Sequence, residues 1–139
     1  MTDLALRIAV IVDPSLPLGL LANTVATISI GIGAAQPLFG NTALVDTAGR
    51  AVRNSADRPV PVLQASDEVI RGLLLKALPA PDGAVVVPFP RFARSLHAFV
   101  DYQAEFPTRD LGQEILDGLG LAGPEKWVKS LTGSLKLLR

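Results

Sequence analysis

Arg7-Ile-Ala-Val-Ile-Val12, closed by Asp13-Pro14 and followed by a helical apolar pattern from Leu18 onward, decides the fold class of this chain. Six residues rich in β-branched side chains, apolar on both faces and stopped by a turn dipeptide, are the pattern of a strand buried on both sides. It is expected to be the central strand of a sheet. After the turn, Leu21, Val25, Ile28 and Ile32 recur at spacings of four, three and four. Asn23, Thr27 and Gly31 fall away from that stripe, so a strand-to-helix unit opens the chain.

Working outward, the alternation continues. Asn41 to Val52, with Ala48-Gly49-Arg50 as its turn, predicts a hairpin or surface excursion. Pro59-Val-Pro-Val-Leu-Gln64 predicts a second strand, and its prolines point to an edge position or a strand start. Ser66 caps the next helix, with Asp67 and Glu68 in its first turn and Val69, Ile70, Leu73, Leu74 and Ala77 as its apolar stripe. Pro79 closes it. Ala84-Val-Val-Val87 is a further buried-type strand, expected to stop at Pro88-Phe89-Pro90, and Phe92, Leu96 and Phe99 mark a third helix. A strand near Glu114 to Leu121, a helix entered at Pro124 with Trp127, Val128 and Leu131 inward and Gly133 as its stop, and a terminal strand over Ser134 to Leu138 complete the reading. Strands alternating with helices give a layered α/β domain with a mainly parallel or mixed sheet.

Composition sets the bounds. With 139 residues, 49% hydrophobic and 19% charged, the chain can bury its own core as one domain over residues 1–139. Its 13 basic and 13 acidic side chains cancel, so no overall field draws it to nucleic acid or to an anionic membrane. The absence of cysteine excludes disulfides and thiolate metal sites, and a lone histidine with scattered carboxylates gives no metal-ligand cluster, so neither metal nor cofactor is expected. Pro14 to Val45 carries no charge and is long enough for a membrane span. Its prolines and its Asn, Thr, Ser and Gln residues, with no flanking basic cluster, favour a buried core helix, and no membrane association is expected. Asp3 and Arg7 interrupt the opening apolar residues and no basic leader is present, which predicts a cytoplasmic protein.

The chain's end, Gly123-Pro-Glu-Lys-Trp-Val-Lys-Ser-Leu-Thr-Gly-Ser-Leu-Lys-Leu-Leu138, resembles the glycine-proline, short helix, Thr-Gly and leucine-rich strand that end peptidyl-tRNA hydrolases of type II. Pro61-Val-Leu-Gln-Ala-Ser-Asp-Glu68 is similar to the passage from strand to helix in those enzymes. A closer resemblance is to a bacterial family named domain of unknown function number two thousand. Its members look like this chain around Asn23, over His97 to Tyr102 and Thr108 to Leu111, and from Lys126 to Arg139. The likeness implies a three-layer α/β/α sandwich around a small mixed sheet, peptidyl-tRNA hydrolase type II-like and homodimeric. It does not imply the hydrolase reaction. The lysine that follows the first helix's opening glycine in the enzymes is Leu20 here, and the Asp-Ala-Gly-x-Thr run after the third strand reads Pro88-Phe89-Pro90-Arg91. Leucine cannot stabilise negative charge, and no carboxylate occupies that strand exit.

The candidate site residues are Asn23, Thr27, Arg91, Arg94 and His97 for ligand binding, with His97 and Asp101 as candidate catalytic groups. On a continuous third helix, Arg94, His97 and Asp101 at i, i+3 and i+7 share one side, where Asp101 would orient His97 and Arg94 would hold an anion. A solvated face with an ordinary His to Asp pair is the plainer reading and the favoured one. Ser95 points elsewhere and makes no triad. Asn23 and Thr27 lie near the end of the first strand, where open α/β sheets bind ligands, although hydrogen bonds within the core account for them equally well. Gly31-Ile-Gly33 lacks the strand that a dinucleotide motif needs, and close helix packing explains it better. Lys126, Lys129, Lys136 and Arg139 form a local basic cluster that in an RNA-handling relative would touch phosphates, whereas a solvated face is the commoner case; Trp127 beside them reads as core. The expected function is small-ligand binding without peptidyl-tRNA hydrolase activity. The alternatives are a hydrolase of acyl or aminoacyl esters with a site rebuilt around His97 and Asp101, and a structural dimerisation module using the uncharged region.

Overall fold

The structure, a computed structural model, describes residues 5–139, so the reading of Asp3 in the opening segment lies outside the described residues. The opening strand forms as β1 (Leu6–Val12) and leads into α1 (Leu18–Ala35). An exposed hairpin of β2 (Ala43–Val45) and β3 (Ala51–Arg53) follows, turning through Gly49 at a φ of 80° that favours glycine. Then come β4 (Val62–Gln64), α2 (Asp67–Ala77), β5 (Val85–Pro90), α3 (Phe99–Glu105), β6 (Leu116–Pro124), α4 (Glu125–Thr132) and β7 (Lys136–Leu137).

Five strands make one mixed sheet in the order β5-β6-β1-β4-β7. The first strand is central, as its two-sided apolar pattern requires. It runs parallel to β4 and antiparallel to β6, which in turn runs antiparallel to β5. Side chains of β1 therefore alternate between two cores. Ile8, Val10 and Val12 meet Ile28 and Ile32 of α1 on one face; Ala9 and Ile11 meet Ile70 and Leu74 of α2 and Val128 of α4 on the other.

The close approach of α1 to the sheet depends on glycines in β6. A Cβ on Gly118 would lie 2.7 Å from the Thr24 methyl, and one on Gly120 would collide with Ile28. The glycines that blurred this segment in the sequence are the space into which the helix fits. Gly31 is a weaker case, 3.2 Å from Val87, and Gly33 meets nothing, so close packing accounts for only one of that pair.

Local signals hold at α2, where the Ser66 hydroxyl accepts the Val69 N–H at 3.3 Å, although Val69 itself is exposed and leaves the inner stripe. Trp127 packs against the core beside Val128, as expected. Three expectations are corrected. The stop expected over Pro88-Phe89-Pro90 falls at its last residue: β5 ends at Pro90, whereas Pro88 lies within the strand, because β5 is an edge strand and a proline there can face the side with no ladder partner. Of the two alternatives read for the prolines before β4, the strand start holds and the edge does not, since β7 covers its outer side. The helix predicted through Phe92, Leu96 and Phe99 is broken into a 3-10 turn, Arg91–Ser95, and α3, with Leu96 to Ala98 outside both. Finally, α1 is not wholly buried: only Thr24, Ile28 and Ile32 are, while Leu18 and Ile30 are 82% and 72% exposed. By length and composition alone α1 could cross a membrane; in the fold one face of it packs on the sheet.

Candidate functional site

The break between the 3-10 turn and α3 opens a cleft of about 640 Å³ against α1 and β5. Ile28, Val87 and Phe89 form its floor, Phe99, Tyr102 and Phe106 its far wall, and Thr27 and His97 contribute polar atoms. Phe92 supports that wall from behind, stacking on Tyr102 at 5.8 Å between centroids and packing on Phe106 at 6.4 Å. Burial in this aromatic surround raises the Tyr102 hydroxyl above its ordinary pKa of 10.0.

Of the sequence candidates, the cleft brings together Thr27 and His97. The Thr27 hydroxyl is already spent on the Asn23 carbonyl at 3.0 Å, as its plainer reading held, and Asn23 is exposed one turn away. The trio Arg94, His97 and Asp101 does not form, because the chain is not one helix across them. Asp101 sits in the first turn of α3, exposed like His97, and no hydrogen bond joins the two among the described residues. That removes the expected orientation of His97 by Asp101.

Arg91 and Arg94 turn to a residue that sequence reasoning passed over. Asp117 is fully buried at the start of β6; its Oδ1 accepts from Arg91 Nε at 3.1 Å and its Oδ2 from Arg94 Nε at 2.6 Å. A 3-10 turn makes this possible, since residues three apart lie on the same side of it. The strand exit after β5 thus does have a carboxylate beside it, supplied by the neighbouring strand. The signal was present in Leu116-Asp-Gly-Leu119: a charged residue on the inward parity of an apolar strand must have partners. On the same end of the sheet, Asp13 donates its N–H to the Asp117 carbonyl at 3.1 Å, and its Oδ1 accepts from the Ser15 N–H and hydroxyl.

The basic residues of the C-terminal segment, Lys126, Lys129, Lys136 and Arg139, are all exposed, and Lys129 pairs with Glu125 at 3.3 Å.

Among the described residues, fold and site together define a mixed α/β protein with a five-stranded sheet, four helices and an apolar cleft at the side of its first helix. The chain belongs to the family "Protein of unknown function (DUF2000)", whose model matches residues 6–139. Among solved structures it is similar to a protein of unknown function from Agrobacterium tumefaciens strain C58. The two share 21% identity with a TM-score of 0.86 over 99% of this chain and 98% of that one, a likeness of fold. No curated protein matches it.

Proposed function

We propose that this chain is a single-domain, small-ligand binding protein of the peptidyl-tRNA hydrolase type II-like fold, without the hydrolase reaction. The cleft carries the reading. Its volume of about 640 Å³ lies in the roughly 300–1,000 Å³ range of small-molecule sites, and its lining is aromatic and aliphatic with few polar atoms. Phe99, 70% exposed at its edge, is apolar surface that a ligand would cover. The ligand class is therefore a compact, largely apolar molecule, oriented by the imidazole of His97.

The chemistry expected of a hydrolase is not supported by the same residues. Leu20 supplies no cation at the start of α1, and Arg91 and Arg94 share the Asp117 carboxylate between them, so that carboxylate is not free to act as a base. Titration with the neutral dye Nile red tests the binding reading. One saturable site, lost in Ala98→Trp, which fills the mouth of the cleft, is expected; non-saturable binding unaffected by that substitution would refute it. Turnover of peptidyl-tRNA by the purified protein that collapses in His97→Ala would also overturn it.

A second reading, self-association into a homodimer, rests on the outward side of α1. Leu18, Ala22, Ala26 and Ile30 recur every four residues along an uncharged helix and are exposed. The small alanines between two large aliphatic ends leave room for a second helix to lie close, and a continuous apolar stripe of this kind is unusual as free surface. Light scattering at micromolar concentration is expected to give twice the chain mass, and Ile30→Glu to give the monomer; a monomeric wild-type protein would end this reading.

A further inference from the structure

The carboxyl ends of β5, β1 and β4 lie together at one end of the sheet, since these three strands run in the same direction. From that end α1 leaves β1 toward one face and α2 leaves β4 toward the other, as their separate cores show. Divergence of this kind opens a crevice beyond the carboxyl ends of the strands, where α/β sheets take ligands. Arg91, Arg94 and Asp117 stand at this end.

The way the three are bonded is informative. One arginine commonly grips a carboxylate with two parallel bonds, one to each oxygen. Here its oxygens are divided, one to the Nε of Arg91 and the other to the Nε of Arg94. Neither guanidinium makes any other hydrogen bond among the described residues, so the Nη groups of both remain available. The side chains are 41% and 28% exposed, and two positive charges face one negative. Asp13, another carboxylate at this end of the sheet, forms no ion pair with either and is engaged by Ser15. One unit of positive charge is thus held in fixed geometry with its donors unspent.

We propose that Arg91 and Arg94, clamped side by side on Asp117, bind an oxyanion, the phosphate or carboxylate group of a small molecule. The anion would accept from the Nη groups of both arginines, while the Asp117 carboxylate keeps each Nε in place and lowers the entropy lost on binding. Neither arginine lines the apolar cleft, although Ala93 between them does, and the anion site does not depend on a ligand in that cleft.

Nitrogen-detected NMR of the arginine Nε–H groups in the full chain reads the site directly, with inorganic phosphate in one arm and acetate in the other, at constant ionic strength. Saturating shifts of Arg91 and Arg94 with either anion are expected, and the tighter arm identifies the group preferred. Arg91→Lys keeps the charge and removes the planar fork, and is expected to weaken binding about tenfold. Shifts that stay linear with both anions in the wild-type protein would overturn the proposal, as would saturation unchanged in Arg91→Lys. The wild-type titration decides the matter even if the variant folds poorly.

Discussion

Arg94 donates from Nε to Asp117 Oδ2 at 2.6 Å, an ion pair in which the carboxylate is completely shielded from water and the guanidinium only partly so. Asp117 in turn accepts the Asp13 N–H on its backbone carbonyl, so the pair fastens the turn after β5 to the junction of β6 and β1. A buried ion loses its hydration and depends on its partners.

Arg94→Ala is accordingly expected to destabilise the fold by about 2–4 kcal/mol, because it strips one partner from a buried charge. Arg91→Ala should cost less, since its bond is longer, at 3.1 Å, and its side chain more exposed. Urea unfolding followed by the fluorescence of Trp127, the single tryptophan, measures both. Equal midpoints for wild type and Arg94→Ala would show that the pair contributes nothing.

Gly120→Ala places a Cβ into Ile28 and is expected to cost about 1–3 kcal/mol by overpacking. Gly33→Ala, inside α1 with open space around it, should instead stabilise by about 0.5–1 kcal/mol, the ordinary gain of alanine in a helix. The opposite signs are the check: melting curves that move the same way for both would contradict the packing described here.

Tyr102 is the one tyrosine, so its ionisation can be followed by ultraviolet absorbance. Burial raises its folded-state pKa above 10.0, and the folded protein therefore keeps this proton when the unfolded chain has lost it. The contribution to stability is intact below pH 10 and is lost as pH rises through the folded value. A tyrosinate midpoint above that of a model peptide is expected, and a midpoint at the peptide value would place Tyr102 in open solvent.

The hairpin is separable from the core. Residues 43–53 are exposed throughout, and its stem is closed by the Asn54 N–H donating to the Thr42 carbonyl at 3.0 Å. Replacing those residues by a short glycine linker should shift folding stability by no more than about 1 kcal/mol. Loss of cooperative unfolding in the shortened chain would show that the hairpin belongs to the core.

Much of the architecture was legible because it rests on local chemistry. The two-sided apolar run Arg7 to Val12 could only be satisfied in the middle of a sheet, and Ser66 with Asp67 and Glu68 announced a helix start through its orphan N–H groups. The segment from Pro124 to Leu138 gave its helix and short strand in order. Thr27 and His97, read as candidates from the sequence, line one cleft, but that cleft was not legible, since it exists only where the third helix breaks. Nor was the link from Arg91 and Arg94 to Asp117, which spans 26 and 23 residues.

Sequence by itself determined the alternation of strands and helices, the central place of β1 and the family to which the chain belongs, because periodicity, caps and motif spacing are properties of neighbouring residues. Tertiary structure alone decided that prolines could sit in β5, that glycines in β6 admit α1, and that two arginines share one buried aspartate. Each depends on which strand lies at an edge or which side chains meet across the sheet, and the energies concerned, steric overlap and the desolvation of charge, arise only once the chain has packed.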